Sequence, residues 1–168
     1  MSNILIISAT SKNNLKLAEK INKIAKEEYS NVEIINVEQF NIPLFTPNEY
    51  KVGIPSDIEP LTKKFQSANA FIFCAPEYNG SIPPIISNLI AWISVSTDQW
   101  REVFNGKAGL IATYSAGNGQ NFLRSMRIQM EHLGVIVLPR TIVASNQVEF
   151  DSDSCRSKIK QLVRLINH

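Results

Sequence analysis

Apolar residues in this chain fall into short, nearly continuous runs, separated by longer segments in which they recur every third or fourth position. NILIIS (3–8), VEIINV (32–37), AFIFCA (70–75), KAGLIATYS (107–115) and VIVLP (135–139) are the runs. Short apolar runs with β-branched content predict strands covered on both faces. Leu17, Ile21 and Ile24 form a stripe on a helix over 15–29, and Phe122, Met126, Met130 and Leu133 form one over 121–133. Gly134 is placed to stop that second helix at its C′ position. Ile159, Leu162, Val163 and Ile166 mark a closing helix, and 82–95 reads as an unusually apolar one. Asp57 is read as the N-cap of a helix reaching about Ser67, with Pro60 tolerated in its first turn. The segment 38–56, which holds Pro43, Pro47, Gly53 and Pro55, predicts a long irregular loop.

Strands that alternate with helices build a parallel sheet with helices on both faces. Right-handed crossovers between neighbours then favour a doubly wound α/β domain, a flavodoxin-like three-layer sandwich. The expected sheet is five-stranded and parallel, of order 2-1-3-4-5, and a single domain spans 1–168. Ligands of such sheets bind beyond the carboxyl ends of the strands, where the strand order reverses. That rule brings three loops together: SATSKNN (8–14), APEYNGSIPP (75–84) and SAGNGQ (115–120). All three are rich in small, polar and turn-forming residues.

Composition narrows the function classes. The chain has 168 residues, 44% of them apolar and 19% charged, with a net charge of +2. These values are ordinary for a globular domain, and the lysines are spread out instead of clustered, so no nucleic-acid partner is expected. MSNILIISAT has no basic n-region and reads as a first strand, not a signal peptide. No apolar run approaches the ~20 residues needed to span a bilayer. Cys74 and Cys155 lack metal-ligand or CxxC spacing, so neither a zinc site nor a disulfide scaffold is expected. Cytoplasmic location is the expectation, without membrane association.

The first loop offers Ser8, Thr10, Lys12 and Asn14 at the start of a helix, a setting suited to a phosphate. Its alternative role is capping, by Ser11 or Asn13. It matches neither GxxxxGK[ST] nor GxGxxG, which disfavours nucleoside-triphosphate and Rossmann dinucleotide sites. In the second loop, Pro76, Asn79, Gly80 and Pro83 constrain a turn whose main-chain N–H groups can face a planar polar ligand. Gly117 and Gly119 allow close backbone approach from the third loop. Glu77 has no sequence neighbour that would tune it as a general acid, and it reads as a positioning or solvated turn residue. Ser81 is not in a GxSxG elbow, His132 and His168 are not placed for catalysis, and Cys74 reads as a buried small hydrophobe. No catalytic side chain and no metal site emerge, which points to a cofactor carrying its own chemistry.

APEYNGSIPPIISNLIAWIS resembles the P-E-Y-N-x-S-x-P-x-x-L-K-N-x-I-D-W signature of the NADPH-dependent FMN reductase family. The resemblance continues in SAGNGQNFLRSMRIQMEHLGVIVLP, which is similar to that family's S-x-G-x-x-G loop, R-x-Q helix and L-G-x-x-V-x-P strand. It implies FMN as cofactor and NADPH or NADH as co-substrate. Hydride would pass to the flavin and then to a small acceptor such as a quinone, an azo compound or free flavin. The first loop departs from the family's G-S-x-R-x-x-S: Ser8 and Ala9 replace Gly-Ser, Ser11 and Lys12 displace the arginine, and Asn14 replaces the later serine. Phosphate contacts are implied for Thr10, Lys12, Asn14 and loop amides. Pro76, Glu77, Tyr78 and Asn79 match the loop along one isoalloxazine edge, and Ser115, Ala116 and Gly117 the loop on the other side. Ser87 and Ala91 stand where the family often has Lys and Asp, on a helix that helps form a dimer. Ile85, Ile86, Leu89, Ile90 and Trp92 are left between that seam and the core. The resemblance therefore implies a homodimer or homotetramer. Two alternatives remain at this point: a flavodoxin-type electron carrier without nicotinamide turnover, and a flavin-free interaction protein on the same fold. Such carriers are usually strongly acidic with a T-x-T-G-x-T loop, whereas this chain is mildly basic and lacks that loop.

Overall fold

The computed structural model describes residues 3–167. The strands are β1 (Ile4–Ser8), β2 (Val32–Asn36), β3 (Ala70–Cys74), β4 (Ala108–Tyr114), β5 (Ile136–Val137) and β6 (Ile142–Ala144). The helices are α1 (Asn13–Glu28), α2 (Pro47–Val52), α3 (Ile58–Ser67), α4 (Pro84–Val95), α5 (Trp100–Phe104), α6 (Gln120–His132) and α7 (Ser152–Ile166). All pairings are parallel and the order is β2-β1-β3-β4-β5, as the alternation of runs and stripes predicts. Register aligns the carboxyl ends, with Ser8 opposite both Asn36 and Cys74, and Cys74 opposite Ala112.

The pleat divides each apolar run between two cores. Leu5, Ile7, Phe71, Phe73 and Ile111 face α3, α4, α5 and α6, where Phe65, Trp92, Phe104 and Met126 are buried with them. Ile4, Ile6, Ile72, Leu110 and Ala112 face α1 and α7, against Leu17, Ile21, Ile159 and Leu162. Because both faces are covered, the runs carry no polar alternation, and that is why they are legible as parallel strands.

Three local expectations change. VIVLP does not form one fifth strand: β5 pairs with Ala108–Gly109, and β6 pairs with Ala112–Tyr114 further along the same edge. Pro139, between them, has no N–H for a ladder, and Arg127 Nη2 donates to the Leu138 and Pro139 carbonyls at 2.7 and 3.2 Å. Asp57 stands at the N-cap position of α3 but its side chain makes no capping bond; its carboxylate accepts from Asn41 N at 3.2 Å instead. The segment 38–56 is only partly irregular. A single 3-10 turn spans Val37–Gln39, and α2 starts at Pro47 with Thr46 Oγ1 accepting from Glu49 N at 3.0 Å.

That segment also settles the apolar α4. Trp92 Nε1 and Asn88 Nδ2 both donate to the Pro43 carbonyl, at 2.8 and 2.9 Å, and Phe45 packs edge-on against Trp92. Ile86, Leu89, Ile90 and Trp92 are buried within this chain, and Ile85 is partly buried. Their burial is therefore in the core.

Candidate functional site

The carboxyl ends of β1, β3 and β4 open into one cavity of about 490 Å³. The first loop lines it from Thr10 to Asn14, the second with Pro76, Glu77 and Tyr78, and the third with Tyr114, Ser115 and Ala116. Glu38 and Asn146 complete the wall. The three loops converge where the reversal of strand order predicts.

Lys12 occupies the N-cap of α1 and no side chain caps that helix, whose first turn contains no acid. Neither capping alternative is realised: Ser11 Oγ accepts from Asn36 Nδ2 at 2.9 Å, and Asn13 lies exposed within the first turn. The N-terminal end of α1, with Thr10, Ser11 and Lys12 around it, is an anion-ready corner. Ser8 lies behind it, fully buried, and its hydroxyl donates to the Thr10 carbonyl at 2.9 Å. Asn14 lines the cavity, but its amide is committed elsewhere. Its Nδ2 donates to the Tyr114 carbonyl at 2.9 Å and its Oδ1 accepts from Tyr114 N at 2.8 Å. Asn14 therefore clamps α1 to the end of β4.

Tyr78 and Ser81 exchange both backbone hydrogen bonds, at 3.2 and 3.0 Å, across Asn79 and Gly80 with φ of 50° and 71°. This two-residue hairpin with two positive φ angles suits Asn-Gly. Asn79 and Gly80 thus shape the second loop without lining the cavity. Glu77 does more than sit in a turn. Its backbone N–H donates to Ser115 Oγ at 2.9 Å. Its carboxylate accepts from the backbone N–H groups of Asn121 and Phe122 at 2.9 and 3.2 Å, and from Asn121 Nδ2 at 3.3 Å. A carboxylate from β3's loop therefore caps α6 and ties the second loop to the third.

The third loop hangs on a buried relay. Thr113 Oγ1 donates to the Ala75 carbonyl at 2.7 Å, which leaves Ser115 Oγ to donate to Thr113 Oγ1 at 2.8 Å while it accepts from Glu77. Gly119 sits against this pair with φ of 60°, and a Cβ there would stand 2.8 Å from Thr113 Oγ1 and 3.0 Å from Ser115 Oγ. Close approach is thus a property of Gly119. A Cβ on Gly117 would meet open space, and Gly117 lines a neighbouring cleft with Asn118 and Gly119.

The chemistry of the lining is restrained. Among the described residues no group of three or more His, Cys, Asp or Glu is placed to hold a metal. Cys74 is fully buried beneath the first loop, its thiol pushed well up by burial while it donates to the Asn14 carbonyl at 3.2 Å. His132 lies at the far end of α6, and His168 lies outside the described residues. Sequence reasoning missed Glu38, Tyr114 and Asn146. Glu38 follows β2, outside the three loops that the strand order names, and Asn146 follows β6, where the sequence predicts a single fifth strand. Tyr114 Oη donates to Asn146 Oδ1 at 2.7 Å.

The cavity lies at the switch point of a doubly wound, flavodoxin-like sheet, where folds of this class bind their ligands. The sequence pattern of the NADPH-dependent FMN reductase family matches residues 2–149, and the chain belongs to that family. An NAD(P)H-dependent FMN reductase of Pseudomonas aeruginosa is 29% identical over 136 residues, covering 74% of this chain and 71% of that protein. An NAD(P)H:quinone oxidoreductase of Solanum tuberosum is 28% identical over 149 residues, covering 86% and 76%. Among solved structures, the flavoenzyme NAD(P)H:(acceptor) oxidoreductase FerB of Paracoccus denitrificans superposes with a TM-score of 0.80 at 16% identity, covering 99% of this chain and 98% of that one. An FMN-dependent NADH-azoreductase of Bacillus anthracis, solved with FMN, gives a TM-score of 0.67 at 16% identity and covers 99% and 98%. This chain is accordingly an oxidoreductase of the NADPH-dependent FMN reductase family. No described helix is long and apolar enough to cross a membrane.

Proposed function

We propose that the cavity at the carboxyl edge of β1, β3 and β4 holds FMN and passes reducing equivalents from NADPH or NADH to a small acceptor, a quinone, an azo compound or a flavin. The observation that carries this reading is the convergence of three backbone-rich loops on one 490 Å³ cavity with an uncapped helix N-terminus at one corner. The donor set fits the group. Thr10, Lys12 and the first-turn amides of α1 would hold its phosphate. The Pro76–Tyr78 and Ser115–Ala116 backbones, fixed by Glu77 and the Thr113–Ser115 relay, would flank its ring. Bound FMN supplies the hydride and electron chemistry, which no side chain of the cavity offers. Glu77 keeps the two flanking loops at a fixed spacing through its N–H bond to Ser115 Oγ and its carboxylate on the start of α6. Tyr78, exposed at the rim, borders the mouth through which both substrates would enter in turn.

The cytoplasm suits this reading, since it supplies NAD(P)H and keeps Cys74 and Cys155 reduced. A homodimer or homotetramer belongs to the same proposal. Leu44 and Val52, exposed on the segment that lies over α4, offer apolar surface for it, and light scattering on the purified protein checks it.

Visible spectra before and after anaerobic addition of NADPH, then NADH, test the function. Yellow protein bleached by either nucleotide and recoloured by a quinone is the expected result. Persistent flavin absorbance with both nucleotides would leave an electron carrier, and failure to perturb the spectrum of added FMN would leave a flavin-free protein.

A further inference from the structure

The anion-ready corner of the cavity is already engaged by an anion of the chain itself. Glu38, on the 3-10 turn after β2, accepts from Ser11 N through Oε2 at 2.6 Å. Ser11 is held for this contact, because its hydroxyl accepts from the buried Asn36 amide. The charged side chains that line the cavity are Lys12, Glu38 and Glu77. Glu77 is bound to α6 at the second and third loops, which leaves Glu38 as the carboxylate facing the corner of Thr10, Ser11 and Lys12. Hydrogen bonds from Ser11, with help from the Lys12 charge, hold the Glu38 carboxyl below its ordinary value, so it is ionised at neutral pH.

A phosphate entering this corner meets two obstacles. One of the loop's N–H donors is taken, and a like charge stands beside it. An uncharged ligand tail meets neither. Glu38 is exposed, so it can swing aside, but only by giving up its bond to Ser11.

We infer that Glu38 is a built-in competitor for the flavin 5′-phosphate and sets the selectivity of the site, weakening FMN relative to phosphate-free riboflavin and keeping the flavin exchangeable. This inference rests on the flavin reading proposed above. The test titrates wild type, Glu38→Gln and Glu38→Ala with FMN and separately with riboflavin, following flavin fluorescence. Glu38→Gln removes the charge and keeps an acceptor for Ser11, while Glu38→Ala removes both. FMN is expected to tighten about tenfold in each variant, with riboflavin changing by less than about twofold. Unchanged or weaker FMN binding, or equal shifts for both flavins, overturns the role of Glu38 alone. Failure of all three proteins to bind either flavin overturns the flavin reading, and this inference with it.

Discussion

Individual residues around the cavity are committed to bonds that their types alone do not reveal. Cys74 is the simplest case: burial raises its thiol far above the ordinary range, and Cys155 is pushed up to about 11 by the same cause. Neither thiol is therefore expected to react with iodoacetamide in the native protein at pH 8, and both should react after unfolding in urea. Mass spectrometry of labelled protein checks this, and rapid native labelling of Cys74 would contradict its placement. Glu38 makes a prediction of the opposite sign. Its folded value lies below the ordinary 4.5, so the bond to Ser11 contributes stability above that ordinary value and loses it as pH falls through the depressed one. Relative to Glu38→Gln, flavin-free wild type should be favoured at pH 7 and lose that advantage in acid, by urea unfolding at a series of pH values.

At the level of elements, the cavity depends on helices being tied to loops that are not their sequence neighbours. Glu77 caps α6 from the loop after β3, and Asn14 holds α1 to the last residue of β4. Removing the carboxylate in Glu77→Ala strips the N-terminus of α6 and is expected to cost about 1–2 kcal/mol of stability. The same variant should bind FMN more weakly, because the 76–78 backbone loses its tie to the start of α6 and keeps only the Glu77 N–H bond to Ser115 Oγ. Thermal melts and flavin titration on the same sample separate the two effects, and full flavin affinity would show that the ring edge does not depend on Glu77. Helix boundaries were mostly legible, since α1, α3, α4, α6 and α7 follow stripes or capping punctuation. The short α2 and α5 were not, because a helix of one or two turns is too brief to display a 3.6-residue period. The split edge at Pro139 escaped for a related reason: an apolar run states burial, not whether its ladder is continuous.

For the molecule as a whole, a ligand that binds only the folded state stabilises it by mass action. FMN at about 100 times its dissociation constant should stabilise the protein by about 2.7 kcal/mol, a rise of several degrees in melting temperature. No shift at saturating FMN would place the flavin elsewhere or exclude it.

The fold follows from local periodicity. Runs buried on both faces, alternating with helical stripes, leave a parallel doubly wound sheet as the arrangement that covers them all, and its switch point names three loops in advance. Within those loops, residue types marked the neighbourhood but not the assignments. Ser8 and Asn14 look like phosphate ligands in a linear reading, yet one is buried behind the loop and the other is bonded to a residue 100 positions away. Glu77 looked isolated because the helix it caps lies 44 positions further on, and Glu38 went unnoticed although it faces Ser11 across 27. Hydrogen bonds at such separations leave no period in a sequence. They exist only once the sheet has brought the carboxyl ends of its strands to one edge, so the architecture was written locally and the working geometry of the cavity was decided by tertiary contact.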